Sequence, residues 1–256
     1  MKVYVQLGRN KLPYRVNAYQ ALKGFEQLGF EIELFSKLSE LDPTQIEQQD
    51  IFVGGIGTIR QRLHQLGIAY QEINYPKIVQ EYLGRKIWYS HIDYVNTHPE
   101  MWQVFVKPVE GKKFTGKVIR TPKDLIGLGS SFENAAVICS EVVDIVAEWR
   151  VYVRYGEILG VKQYYGDWEQ HLDPEIVKNC IATYEVEAPA GYGIDFGVTK
   201  ADKTILIEIN EGYSLAAYGL SDLSYAKLLA ARWAEMTGTV DECNFLKRVA
   251  QNSFLI

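Results

Sequence analysis

The chain has 256 residues, 47% of them hydrophobic and 12% aromatic, with a net charge of −5 and a pI near 5.5. That is material for a substantial core, in one large domain or two or three packed subdomains, and the acidic balance argues against nucleic acid as the main partner. Cys139, Cys180 and Cys243 are few, odd in number and widely spaced, no apolar run approaches membrane-spanning length, and Met-Lys-Val-Tyr-Val-Gln begins as a strand rather than a signal peptide, so a reducing, cytoplasmic setting without a membrane partner is expected.

Val3–Leu7 reads as a first strand. Pro13 precedes a helical pattern of Val16, Tyr19, Leu22, Phe25 and Leu28 that stops at Gly29. Phe30–Phe35 is the next strand, Ile51-Phe-Val-Gly-Gly another, and Ile59–Leu66 a short helix closed by Gly67. This alternation predicts a small, mostly parallel α/β layer over residues 1–75. Gly55-Ile-Gly57-Thr-Ile-Arg60 has the opening of a dinucleotide fingerprint, but Arg60 stands where the third glycine belongs, and no acidic residue ends a strand about twenty residues on. It reads as a turn.

A second unit runs over residues 76–141. Pro76–Leu83 has a helical pattern closed by Gly84. Gln103–Val109 and Gly116–Thr121 read as a hairpin around the loop Glu110–Thr115, followed by a helix from Pro122 and a strand at Ala136–Glu141. Gly111 to Lys117 fits G-x-x-x-x-G-K, yet no Ser or Thr follows and the lysine opens a strand instead of a helix, so a Walker A loop is rejected. A basic, Gly-flanked tip is still able to fold over phosphates through backbone N–H groups. Lys107 lies inside the apolar strand Val104-Phe-Val-Lys-Pro108 and needs an anionic partner there. An edge-strand lysine is the plain alternative, to which Pro108 lends some weight.

The third unit, residues 142–256, opens with Trp149–Tyr155, a turn at Gly156-Glu157 and Ile158–Tyr165, alternating as an antiparallel pair. A helix at Pro174–Tyr184 follows. Tyr225–Met236 closes the unit as an amphipathic helix. Between them stand Gly191-Tyr-Gly-Ile-Asp195-Phe-Gly-Val and Ile205-Leu-Ile-Glu208-Ile-Asn210-Glu-Gly, joined by a polar turn. With Ala201 and Asp202 as a two-residue loop, Asp195 lies opposite Glu208, and the period of two adds Asn210 to the same face. Gly193 and Gly197 leave that face open to a ligand. Two facing carboxylates repel unless a cation sits between them, and an all-oxygen set suits Mg²⁺. A solvated hairpin face with an ordinary acidic pair is the alternative.

Taken in order, Tyr82-Leu-Gly-Arg85-Lys86-Ile-Trp88, Phe105-Val-Lys107-Pro, Ser140-Glu141-Val-Val143, Glu148-Trp-Arg150-Val, Gly191-Tyr-Gly-Ile-Asp195, Glu208-Ile-Asn210-Glu-Gly-Tyr and Tyr218-Gly-Leu resemble the ATP-grasp superfamily over nearly the whole chain. The likeness is greatest to a bacterial and phage clade with arginine at the early basic position. The resemblance implies an α/β (α+β) ATP-grasp architecture: a small front domain (1–75), a small subdomain with a phosphate-covering hairpin (76–141) and a large subdomain with the metal site (142–256). It implies that Lys107 contacts the α- and β-phosphates of ATP. Arg85 is implied as the other early basic contact, with Lys86 open beside it. Glu141 would accept from the adenine amino group, and the backbone near Val143 would pair with the ring. Asp195, Glu208 and Asn210 would hold Mg²⁺. Arg150 and Lys162 are candidates for the acceptor carboxylate or the transferring phosphoryl group. Glu148 and Arg150 share a strand face, so pairing with each other or with a cross-strand neighbour is the alternative there. Tyr164 and Tyr165 are expected to pack, and Glu211 to point away from the metal set.

The activity implied is a carboxylate–amine (or thiol) ligase working through an acyl phosphate, with a carboxylate donor and an amine acceptor that are small molecules, peptides or proteins. The loop Glu110–Thr115 is placed to serve as a lid. A small-molecule kinase and a catalytically silent nucleotide-binding module are the alternatives, and a homodimer is compatible with the sequence.

Overall fold

A computed structural model describes the chain except for residues 71, 111–113, 129–132 and 245–256. Lys2–Gln6 (β1), Glu31–Phe35 (β2) and Ile51–Val53 (β3) form a parallel sheet in the order β2-β1-β3. The helices Val16–Gln27 (α1) and Ile56–Gln65 (α2) alternate with them. Val3, Tyr4 and Val5 are buried without alternation, as a parallel strand covered on both faces requires. Part of that cover comes from the far end of the chain. Asp222–Thr237 (α5) packs on α1 so closely that a Cβ on Gly24 would lie 2.1 Å from the Asp222 carbonyl oxygen. The Trp233 ring meets Phe52 at 5.7 Å between centroids, and Tyr225 and Leu228 join the same core.

Residues 76–141 carry an antiparallel sheet of Ile87–His91 (β4), Val104–Pro108 (β5), Lys117–Ile119 (β6) and Ala136–Glu141 (β7) in the order β4-β7-β5-β6. The half-exposed β4, and the short helix Ile92–Thr97 (α3) after it, were not expected from the sequence. In β4 neither face is fully buried, so the apolar alternation that marks a strand is missing. The helix expected from Pro122 is one 3₁₀ turn, Pro122–Leu125. Gly127, at φ +82°, is unsuited to prolonging it. Lys77–Leu83 is likewise 3₁₀ and ends at Gly84 in the left-handed region.

The large sheet holds Ile145–Arg154 (β8), Glu157–Gly166 (β9), Gly191–Thr199 (β10) and Thr204–Glu211 (β11), ordered β11-β10-β8-β9. The β8–β9 turn is Tyr155-Gly156, one residue earlier than expected, with both residues at positive φ as tight two-residue hairpins demand. The helix Pro174–Tyr184 (α4), capped by Asp173, covers one face of this sheet, where Val177, Cys180 and Ile181 join Ile194, Phe196 and Leu206 in a core. The opposite face is left for charged groups, and β5 of the small sheet reaches it through Lys107. No described helix is long and apolar enough to cross a membrane.

Candidate nucleotide and metal site

Asp195 and Glu208 are direct register partners on β10 and β11. The turn is not the two-residue loop expected. The Thr199 N–H donates to the Lys203 carbonyl, Lys200-Ala201-Asp202 form the loop, and Asp202 takes φ +57°. Val198 therefore faces Thr204, a register that would set Asp195 against Ile207. A bulge intervenes between Leu206 and Glu208, and Ile207 is the extra residue. It moves Glu208 opposite Asp195 and brings Asn210 opposite Gly193 on the same face.

The row extends across the sheet. Asp195 is paired in register with Arg150 of β8, and Arg150 with Lys162 of β9. One line of the open face thus reads Glu208, Asp195, Arg150, Lys162. Arg150 grips Asp195 with two parallel bonds, Nε to Oδ1 and Nη2 to Oδ2, both 2.7 Å. Asn210 Nδ2 donates to Asp195 Oδ2 at 3.1 Å. Both partners of the fork are buried, at 6% and 1% exposure. Burial acts to lower the Arg150 pKa, but Asp195 outweighs it and holds the guanidinium above its ordinary value. Burial pushes the Asp195 carboxyl upward, with Arg150 opposing.

Two rings flank this pair. Tyr164 and Tyr218 stack at 4.6 Å, and the Arg150 guanidinium lies 5.8 and 5.1 Å from their centroids. The Tyr164 hydroxyl donates to Glu148 at 2.6 Å. Tyr164 does pack, but it also engages Glu148, while Arg150 takes its cross-strand neighbour in place of Glu148.

From the small sheet, Lys107 Nζ donates to Glu208 Oε2 at 3.1 Å and sits 4.4 Å from the Tyr75 ring centroid. Burial acts to lower the Lys107 pKa, but Glu208 and Tyr75 prevail and hold it above the usual lysine value. Burial acts to raise Glu208, but Lys107 and Arg150 prevail and hold it below the usual carboxylate value. Tyr75 carried no recognisable signal in the sequence; it stands next to Pro76, at the boundary of the first two units.

Arg85 reaches this region from behind. Its Nη1 donates to the carbonyls of Leu83 and Leu206, and Nη2 to that of Ile207, at 2.8–2.9 Å. It braces the bulge. Glu141 ends β7 and accepts from the Lys86 N–H at 2.9 Å, and the half-buried Val143 lies in the short connection to β8. Gly111, Lys112 and Lys113 of the expected lid lie outside the described residues. Glu211 points away from the row, as expected, with Arg232 Nη2 2.8 Å from its Oε2.

A cavity of about 330 Å³ opens on the row, bordered by Lys107, Arg150, Glu208 and Asn210. It is also bordered by Arg60 of α2 and by Glu72, which the sequence reading passed over. Among the described residues no three His, Cys, Asp or Glu side chains gather as a metal centre. Asp195 and Glu208 supply two carboxylates, and the third oxygen donor is the Asn210 amide. That donor set, without nitrogen or sulfur ligands, fits Mg²⁺.

The family model described as "ATP-grasp domain, R2K clade family 2" matches residues 82–228, more than half of the chain. No curated protein matches in sequence. Among solved structures, D-alanine–D-alanine ligase from Bacillus anthracis is similar at a TM-score of 0.58 and 15% identity, over 92% of this chain and 97% of that one. N5-carboxyaminoimidazole synthetase from Staphylococcus aureus is similar at 0.60 and 11%, over 93% and 77%. The macrocyclase MdnC, bound with the precursor peptide MdnA from Microcystis aeruginosa MRC, is similar at 0.52 and 15%, over 90% and 99%. At such identities the likeness concerns the fold, and the family model carries the assignment: the chain belongs to the R2K clade of ATP-grasp proteins, family 2.

Proposed function

We propose that this protein is an ATP- and Mg²⁺-dependent ligase that joins a carboxylate donor to an amine, or to a thiol, through an acyl phosphate. One observation carries the reading: each carboxylate of the row is already matched to a cation, Glu208 to Lys107 and Asp195 to Arg150. An incoming triphosphate offers anionic oxygens to those cations. The carboxylates are released to a divalent ion at the same moment. The exchange leaves no buried charge unpaired at either stage.

Asp195, Glu208 and Asn210 would hold Mg²⁺, which when bound neutralises the charge of the triphosphate and of the group in transfer. Lys107 holds the α- and β-phosphates, and Glu141 with the Val143 backbone receives adenine. Arg85 supports the site by bracing the strand that carries Glu208. Arg150 and Lys162 stabilise the transferring phosphoryl group. The donor carboxylate oxygen bonds to the γ-phosphorus as the bond to the β-bridging oxygen breaks and ADP leaves. The acceptor nitrogen then bonds to the acyl carbon, and phosphate departs with the electrons of the broken C–O bond and takes the proton that the nitrogen sheds. Positioning and charge supply the catalysis, and no protein nucleophile enters. Donor and acceptor are small molecules or peptides, and the cytoplasm supplies both ATP and the reducing setting that three buried thiols suit.

The test is to incubate the protein with ATP, Mg²⁺ and a panel of carboxylates in the presence of hydroxylamine. The reading predicts ADP release with an acyl hydroxamate. A stable phosphorylated product without hydroxamate would identify a kinase. Nucleotide binding without turnover across the panel would identify a silent module.

A further inference from the structure

The cavity over the charged row has a second wall, built by the front domain, whose charges the phosphoryl-transfer chemistry does not use. Arg60 projects from α2, its side chain 15% exposed. Nη2 donates to Glu72 Oε1 at 2.6 Å, Nε to the Tyr213 hydroxyl at 3.4 Å, and the guanidinium lies 4.5 Å from the Tyr70 centroid. Three elements therefore fix this side chain: α2, the connection between the first two units, and the loop after β11. Three of its five N–H donors have no partner among the described residues. Neither Arg60 Nη1 nor Glu72 Oε2 has a hydrogen-bond partner among the described residues.

A third charge stands behind them. Glu211 borders the same cavity, and its side chain is only 8% exposed. One of its oxygens is matched to Arg232, and the other, Oε1, is buried without a hydrogen-bond partner among the described residues. Glu72 and Arg60 are both close enough to act on its charge. This wall therefore offers one oriented guanidinium edge and one open carboxylate edge, Glu72 Oε2, the Glu211 charge being taken by Arg232, within a volume of about 330 Å³ shared with the phosphoryl-transfer groups. A purely anionic ligand would meet Glu72. A purely cationic one would meet Arg60 and, across the cavity, Arg150 and Lys107. A small molecule with one carboxylate and one ammonium satisfies both open edges, the carboxylate on Arg60 Nη1 and the ammonium on Glu72 Oε2.

We propose that the Arg60–Glu72 wall is the acceptor subsite and that the acceptor is a free α-amino acid, bound as its zwitterion with its nitrogen toward the acyl phosphate, Glu72 taking up the proton that the ammonium loses before the nitrogen attacks. The inference rests on the ligase reading and deepens it by naming the class of amine. It makes Arg60 a specificity residue on the front domain, contributed from outside the two sheets that hold the nucleotide.

The test is calorimetric titration of the full chain with each of the standard amino acids and their D-enantiomers. It is run with and without a non-hydrolysable ATP analogue plus Mg²⁺, with binding of the analogue measured first. At least one amino acid should bind, and its methyl ester, its N-acetyl derivative and the corresponding decarboxylated amine should each bind at least about tenfold more weakly. In Arg60→Gln the preference for acid over ester should vanish while the analogue binds as before, and in Glu72→Gln the preference for the free amine over the N-acetyl derivative should vanish. Because the comparison of acid with ester is made first on the unaltered protein, it stands even if a variant fails to fold. Binding of the analogue with no amino acid bound, or equal binding of acid and ester, overturns the subsite. Failure of the analogue to bind overturns the ligase reading instead, and the titrations without nucleotide still decide the subsite.

Discussion

Arg85 donates two of its guanidinium hydrogen bonds to the carbonyls of Leu206 and Ile207, the residues at the bulge that turns Glu208 toward Asp195. A bulge interrupts the ladder and leaves backbone groups seeking partners, and here a half-buried arginine provides them. Arg85→Met should destabilise the fold, at about 1–3 kcal/mol for each carbonyl left without a donor. It should also remove the Mg²⁺-dependent part of nucleotide binding while leaving metal-free binding nearly intact. Titrations with and without the ion would check this. An equal loss in both would mean that the side chain acts on phosphate directly.

Gly193 makes room for Arg150. A Cβ there would lie 3.1 Å from the Arg150 Cδ and 2.9 Å from a Leu215 methyl. Gly193→Ala should therefore cost about 1–3 kcal/mol of overpacking and shift the guanidinium off Asp195. Turnover should fall far more than nucleotide affinity, because Lys107 is untouched. Steady-state kinetics set beside thermal denaturation would separate the two effects.

Breaking the Arg150–Asp195 fork from one side should be severe for stability. Arg150→Met leaves Asp195 buried and uncompensated, which costs about 3–5 kcal/mol. Replacing both, as Arg150→Met with Asp195→Leu, should recover much of that loss without restoring function. Chemical denaturation of the two variants supplies the numbers, and a double variant no more stable than the single one would contradict the pairing.

The Lys107–Glu208 pair fixes a pH window. Glu208 is held below the ordinary glutamate value of 4.5, so its contribution is fully present above that pH and is lost as pH falls through the depressed value. Lys107 is held above 10.5, so its contribution is fully present below that pH and is lost as pH rises through the raised value. The melting-temperature gap between the unaltered protein and Glu208→Gln should be present at neutral pH and close in acid below the carboxylate range. A gap that does not vary with pH would contradict the pair.

How far the sequence discloses this site depends on the range of each contact. Asp195, Glu208 and Asn210 share a face by the period of two alone, which local sequence carries well. Their register rested on a loop of the wrong length, and the offset was made good at Ile207, which looks like any other strand residue. The Arg150–Asp195 fork joins strands separated by α4, so spacing along the chain says nothing of it. Half-exposed β4 lacked a pattern to read. The Arg60–Glu72 pair is close along the chain, but its place beside the charged row is set by the loop after β11, where the Tyr213 hydroxyl accepts from Arg60 Nε and Ser214 Oγ donates to the Gly54 carbonyl at 2.8 Å.

The central claim is that the row of Glu208, Asp195, Arg150 and Lys162, with Lys107 above it, exchanges its internal partners for nucleotide and metal. Calorimetric titration with a non-hydrolysable ATP analogue over a range of Mg²⁺ concentrations tests it most directly, on the unaltered protein and on Glu208→Gln. The account predicts that Mg²⁺ tightens analogue binding at least about tenfold in the unaltered protein and has little effect in the variant. Tight binding indifferent to Mg²⁺, or an identical Mg²⁺ response in Glu208→Gln, would contradict it.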